Sequence, residues 1–231
     1  MDPKAFRVAA TVLLLRDDPF EVLMVRRHSE ATFASRLVFP GGVIEPDDAD
    51  EAWLPLVTGA DSLDVEERAL RICGIRETWE ETSILLGAER RPAVSDVPFR
   101  EVVAAAGIRL PLDALHPFGH WITPDAEPRR FDTHFYLAMA PHGQEPVVDG
   151  AEMVELEWRS PAAKTDTSVM FPTLMNLMRL AESPDAAAAI EAAAARAPYA
   201  VKPTLDWRED GSAVIVIPAE AGYGMTEFLH R

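Results

Sequence analysis

From Phe6 to Leu15 the chain alternates weakly between apolar and polar positions and then turns wholly apolar, as a strand does on entering a core. Asp17-Asp18-Pro19 supplies a turn, and Glu21 to Arg26 (EVLMVR) reads as the partner strand. Later strands are expected at about 116–122, at 131–140, where FDTHFYLAMA alternates around His134 and Tyr136, and at 152–158. Two more are expected at 199–205 and 213–218, the second rich in β-branched residues. A long helix should start at a Ser62 or Asp64 cap and run to about Leu86, with a short helix over 99–107. A helix over 171–181 opens with Pro172, and an alanine-rich helix follows to about Ala197. In the first of these, Leu174, Leu177, Leu180 and Met178 make an apolar side. Mixed strands flanked by helices predict an α/β (α+β) sandwich rather than a bundle or an all-β domain.

The long helix carries the densest chemistry. At 100° per residue, with Ile72 as zero, Ile75, Trp79 and Ala69 fall within roughly 60°, a side expected to face the core. Glu80, Glu77 and Glu81 fall at roughly 80°, 140° and 180°, an acidic stripe beside it. Like charges at this spacing repel by about 0.2–0.5 kcal/mol when exposed, and a divalent cation reverses that sign. Cys73 and Gly74, small residues near the stripe, are expected to leave room for a polyphosphate. Upstream, Phe39-Pro40-Gly41-Gly42 joins a residue of fixed φ to a permissive pair. From the residues alone, a wet helix face and a cage for cations and phosphates both stay open.

Charge narrows the partners. With 22 Lys and Arg against 38 Asp and Glu, the net charge of −16 argues against a general binder of nucleic acid or anionic membrane. A small polyanion stays admissible if local arginines and bound cations reverse the field at the site. No stretch reaches the roughly 20 apolar residues of a membrane span. The N-terminal apolar run, followed by Arg16-Asp17-Asp18, reads as a strand rather than a signal peptide, and the terminal EFLHR matches no sorting address. The single cysteine, Cys73, excludes a disulfide framework within the chain and fits a reducing compartment.

Together, FPGG at 39–42 and RETWEETSI at 76–84 resemble the signature box of the Nudix hydrolase superfamily. Arg76, Glu77, Glu80 and Glu81 match its arginine and three glutamates, Thr78 an apolar position, Ser83 a glycine and Ile84 the final apolar position. Gly42 precedes Arg76 by 34 positions where the box has 14, an insertion of 20. Eight positions before Arg76, where the box has its first glutamate, stands Arg68, with Glu66 and Glu67 nearby. FPGGV at 39–43, RICGIRE at 71–77, WITPDAEPRRFDTHFYLA at 121–138 and EWRSP at 157–161 resemble the subgroup of the mammalian peroxisomal acyl-coenzyme A diphosphatase, whose box is interrupted by an insertion.

The resemblance implies a single Nudix domain over 1–231, an α/β/α sandwich with a mixed sheet. It carries an insertion at about 45–64, whose apolar island is expected to form a short helix or an ordered lid burying Trp53 and Leu56, and extra C-terminal helices at about 171–197. It implies a metal-dependent diphosphatase (pyrophosphohydrolase) acting on a nucleoside diphosphate derivative. Coenzyme A or acyl-coenzyme A would yield 3',5'-ADP and a phosphopantetheine. ADP-ribose, NADH or another nucleotide is the alternative substrate, and a catalytically weak ligand-binding protein the alternative class. Glu77, Glu80 and Glu81 are the implied ligands of Mg2+ or Mn2+, with Arg76 orienting a carboxylate. Arg27, Arg36, Gly41, Gly42, Arg129 and Arg130 are the candidate substrate contacts. The base is left among the box glutamates, Glu152 and Glu127. His134 reads as a strand residue, Trp121 and Phe131 as core rather than adenine-stacking residues. A cytoplasmic location is expected, and a homodimer is an open alternative to a monomer.

Overall fold

The structure, a computed structural model, describes residues 6–27, 36–93, 97–125, 127–148, 153–164 and 169–229. Strand β1 (Arg7–Arg16) turns into β2 (Glu21–Arg27), followed by two short strands, β3 (Leu37–Val38) and β4 (Gly41–Val43). Two 3-10 turns, Pro46–Ala49 and Glu51–Leu56, lead to β5 (Val57–Thr58) and the long helix α1 (Val65–Thr82). Then come α2 (Phe99–Ala106), β6 (Leu110–Pro111), β7 (His116–Ile122), β8 (Phe131–Met139) and β9 (Met153–Arg159). Helices α3 (Phe171–Leu180) and α4 (Ala186–Ala194) precede β10 (Ala200–Val201), β11 (Thr204–Trp207), β12 (Ala213–Val216) and β13 (Glu227–Leu229).

The main sheet is mixed, in the order β10-β7-β8-β1-β2-β3, with β4 beside β1 and β9 beside β2. β1 lies at its centre, parallel to β8 from Arg7↔Phe131 to Leu15↔Met139. Its other edge is shared antiparallel by β4 near Ala10 and by β2 near Leu15. This explains why β1 loses its alternation: both faces are covered. Ala10, Val12 and Leu14 join the core under α1 and α2, while Leu13 and Leu15 join the core under α3 and α4. The architecture is an α/β sandwich with a mixed sheet and additional C-terminal helices, as the pattern predicted.

The insertion is ordered through its apolar island. Trp53 is fully buried, its ring 5.5 Å from that of Phe99 on α2 and its Nε1 donating to the Asp47 carbonyl. Three local expectations need correction. Helix α1 stops at Thr82 rather than near Leu86, because Ser83 adopts a left-handed conformation (φ 58°) that ends the helix. On α3 it is Met175, not Met178, that joins Leu177 and Leu180 in the core, so the buried stripe lies further round the helix. The region 199–205 splits into β10 and β11, and β13 pairs with β12 where no strand was expected.

Candidate functional site

Helix α1 starts at Asp64, whose carboxylate accepts from the Glu67 amide, and it is enclosed on almost every side. Gly74 explains the close approach to the sheet: a Cβ there would lie 3.0 Å from Val12 and 3.7 Å from Ala10. Cys73 is fully buried and its Sγ donates to the Gly42 carbonyl at 3.6 Å. Burial, reinforced by the negative charges of Asp48 and Glu77, pushes its thiol well above the usual range. The small residues therefore serve helix–sheet packing, not space for a polyphosphate as expected. Thr78, in a nominally apolar position, is buried by turning its hydroxyl back onto the Gly74 carbonyl at 2.7 Å.

Arg76 organises the acids. Its Nε and Nη2 form a fork on Asp48, at 3.0 and 2.9 Å, and Nη2 also donates to the Val43 carbonyl at 3.1 Å. Nη1 donates to Glu77 at 2.8 Å and to Glu80 at 3.0 Å. All five guanidinium N–H groups thus have acceptors. Burial opposes the charge, but Asp48 and Glu77 outweigh it and hold Arg76 firmly protonated. Glu81, 4% exposed, accepts from the Gly41 amide at 3.0 Å, and a Cβ on Gly42 would sit 2.2 Å from a Glu77 oxygen. Glu80 is the most open of the three, and burial still pushes its carboxyl upward against the pull of Arg76. The structure thus brings Arg76, Glu77, Glu80, Glu81, Gly41 and Gly42 together. Glu77, Glu80 and Glu81 offer oxygen donors of the kind a hard divalent cation takes, set around Arg76 and the glycine pair.

Asp48 is the residue that counting backward from Arg76 missed. Arg68, eight positions before Arg76, is a buried residue of α1. The carboxylate that meets Arg76 instead lies six positions after Gly42, the spacing that remains when 8 is taken from the 14 of the uninterrupted box. Counting forward from Gly42 would have found it, because the insertion falls after Asp48.

The outlying candidates are dispersed. Arg27 ends β2, paired with Met153 of β9, and Arg36 is exposed just before β3. Arg129 is exposed before β8, while Arg130 contacts the Asp125 carboxylate and lies 3.8 Å over the Phe6 ring. Glu127 is exposed in the same loop, and Glu152 lies outside the described residues. Trp121 is core, donating to the Tyr223 hydroxyl at 2.9 Å, and Phe131 is half-buried at the start of β8 beneath the Arg7 guanidinium. A second cluster was not anticipated: His120, Asp132 and His134 each offer a ligand atom within 4.8 Å of the others, a potential metal-coordinating group.

The class these elements define is that of the Nudix fold, a mixed sheet between helices with an arginine–glutamate helix against a glycine pair. The NUDIX domain family matches residues 5–173, and the chain belongs to it. It is 28% identical over 242 residues to the acyl-coenzyme A diphosphatase NUDT19 of Gallus gallus, covering 70% of this chain and 63% of that protein. Identity to the Xenopus laevis protein of the same name is 27% over 203 residues, covering 62% and 53%. The chain thus spans less than two thirds of the length of these curated relatives. Among solved structures, a Nudix hydrolase from Alicyclobacillus acidocaldarius is similar with a TM-score of 0.66 and 27% identity, covering 84% of this chain and 98% of that one. Among the described residues, no helix is long and apolar enough to cross a membrane.

Proposed function

We propose that this Nudix hydrolase cleaves the diphosphate linkage of coenzyme A or an acyl-coenzyme A, releasing 3',5'-ADP and a phosphopantetheine. The observation that carries the reaction class is the saturated Arg76, which presents Glu77 and Glu80 beside a Glu81 anchored on the Gly41 amide. The likeness to two acyl-coenzyme A diphosphatases supports the substrate class. Glu77, Glu80 and Glu81 would hold Mg2+ or Mn2+, which neutralises diphosphate charge and lowers the pKa of a bound water. The chain's own share is geometric and electrostatic. Arg76 is a positioning residue, since its donors are spent on carboxylates and a carbonyl. Gly42 keeps the space beside Glu77 free of a Cβ, and Gly41 holds Glu81 through its amide. Arg27, Arg36, Arg129 and Arg130 are proposed as sources of positive charge for the substrate phosphates. The whole chain acts as one domain in a cytoplasmic setting, and a mass measurement in solution decides between monomer and homodimer.

Incubation with coenzyme A, an acyl-coenzyme A, ADP-ribose and NADH, each with Mg2+ or Mn2+, tests the reading when the products are identified as well as counted. Coenzyme A cleavage to 3',5'-ADP is expected, and Glu81→Gln should lower kcat by orders of magnitude while keeping the fold. Preferential cleavage of ADP-ribose or NADH would overturn the substrate class. Binding with no turnover of any substrate would overturn the reaction.

A further inference from the structure

Strands β7 and β8 set His120 opposite His134, and Asp132 opposite Ile122, in antiparallel register. His120 Nε2 lies 2.5 Å from Asp132 Oδ1, and His134 Nε2 lies 3.5 Å from the same oxygen. The two imidazole rings are stacked with centroids 4.0 Å apart. A hydrogen-bonded His–Asp pair would account for the first contact alone. It does not account for a second imidazole aimed at the same oxygen. Nor does it account for two part-buried imidazoles, those of His120 and His134, at the wall of a cavity of about 340 Å3, lined also by Glu67, Arg71 and Tyr136.

Coordination distances decide whether the three can share an ion. Bonds of about 2.1 Å at a tetrahedral centre place neighbouring donor atoms roughly 3.4 Å apart. The His134–Asp132 separation already has this value. The remaining separations lie within reach of imidazole rotation about the soft terminal χ2 torsion, which fans the stacked rings toward a common point.

The cluster stands apart from the acids of α1. Register aligns His120, His134, Ala10 and Gly42 in one row across β7, β8, β1 and β4. His134 is thus two strand spacings, roughly 10 Å, from Gly42. Helix α1 crosses that row over Ala10 at Gly74. Its Glu67 bonds Tyr136 on the cavity side, and Glu77 abuts Gly42 on the other.

We propose that His120, Asp132 and His134 form a second divalent-metal site, selective for a borderline transition ion and separated by α1 from the carboxylate site. Two imidazoles and one carboxylate favour ions such as Zn2+ or Co2+ over Mg2+, which prefers all-oxygen ligands. Three protein ligands leave a coordination position open toward the cavity.

The test uses the full chain stripped of metal and titrated with Zn2+ or Co2+. Co2+ should give a visible absorption band saturating at one equivalent. His120→Ala and Asp132→Asn should each weaken Zn2+ binding by roughly 100-fold, whereas Glu80→Gln should leave it unchanged. Should a variant fail to fold, imidazole NMR signals of the unaltered chain supply the answer: Zn2+ should move those of two histidines. Equal Zn2+ affinity in His120→Ala and the unaltered chain, loss of binding only in Glu80→Gln, or no histidine signals moving would overturn the proposal.

Discussion

Asp48→Asn removes one charge from a pair that ties the turn after β4 to helix α1. The Asp48 side chain is 1% exposed and that of Arg76 is 7% exposed, so water replaces little of what is lost. Breaking a buried pair from one side destabilises by about 3–5 kcal/mol. Arg76 keeps Glu77, Glu80 and the Val43 carbonyl, which partly compensate its charge, so the lower end applies. A loss of about 3 kcal/mol is therefore expected, a large share of the roughly 5–15 kcal/mol that keeps a domain folded. Urea unfolding of the unaltered chain, Asp48→Asn, Arg76→Met and the double variant measures it. The double variant should be more stable than the sum of the single losses predicts, by about 1–3 kcal/mol. A loss below about 0.5 kcal/mol, or simple additivity, would mean that the pair behaves as an exposed one and the reasoning fails.

Glycine replacements should separate folding from activity. Gly41→Ala drives a Cβ to 2.6 Å from the Ala10 carbonyl and should lower Tm as β4 is pushed from β1. Gly42→Ala meets only the end of Glu77, and should cut kcat with little change in Tm. Ser83→Gly should raise stability by about 1 kcal/mol, because the left-handed φ of 58° strains a residue with a Cβ; an unchanged or lower Tm would contradict this. In chelator, stability should fall on acidification. Burial and Arg71 pull His116 down against Asp113, and burial and His120 pull His134 down against Asp132 and Glu67. Below the unfolded value of about 6.5 the unfolded state therefore binds more protons. The contribution is fully present above pH ~6.5 and is lost as pH falls through the folded values. Melting at pH 7.5 and 5.5 should show a smaller drop in His116→Gln, and an unchanged drop would refute the assignment.

Local pattern was enough for the elements whose signals are local. The apolar run of β1, the alternation of β8, the Asp64 cap and the spacing of Arg76, Glu77, Glu80 and Glu81 were all legible, as was an insertion ordered by Trp53. Periodicity gives the angular position of a side chain on its own element, not what covers it. It could not foresee that α1 is enclosed nearly all round, so that Cys73 and Gly74 pack on the sheet. The short strands β5, β6 and β13 had too few residues to show a period.

What the amino-acid sequence by itself determined is the family, the order of the main elements and the acidic motif, because these rest on residue types at short, regular separations. The Asp48 position could have been counted forward from Gly42, but only the tertiary structure showed its contact with Arg76 and decided that β7 and β8 bring His120, Asp132 and His134 together. It also decided that Ser83 ends α1 in a conformation usually left to glycine. Pairings of that kind depend on strand register and on where a loop returns, and both are set by burial of the whole core rather than by neighbours in the chain.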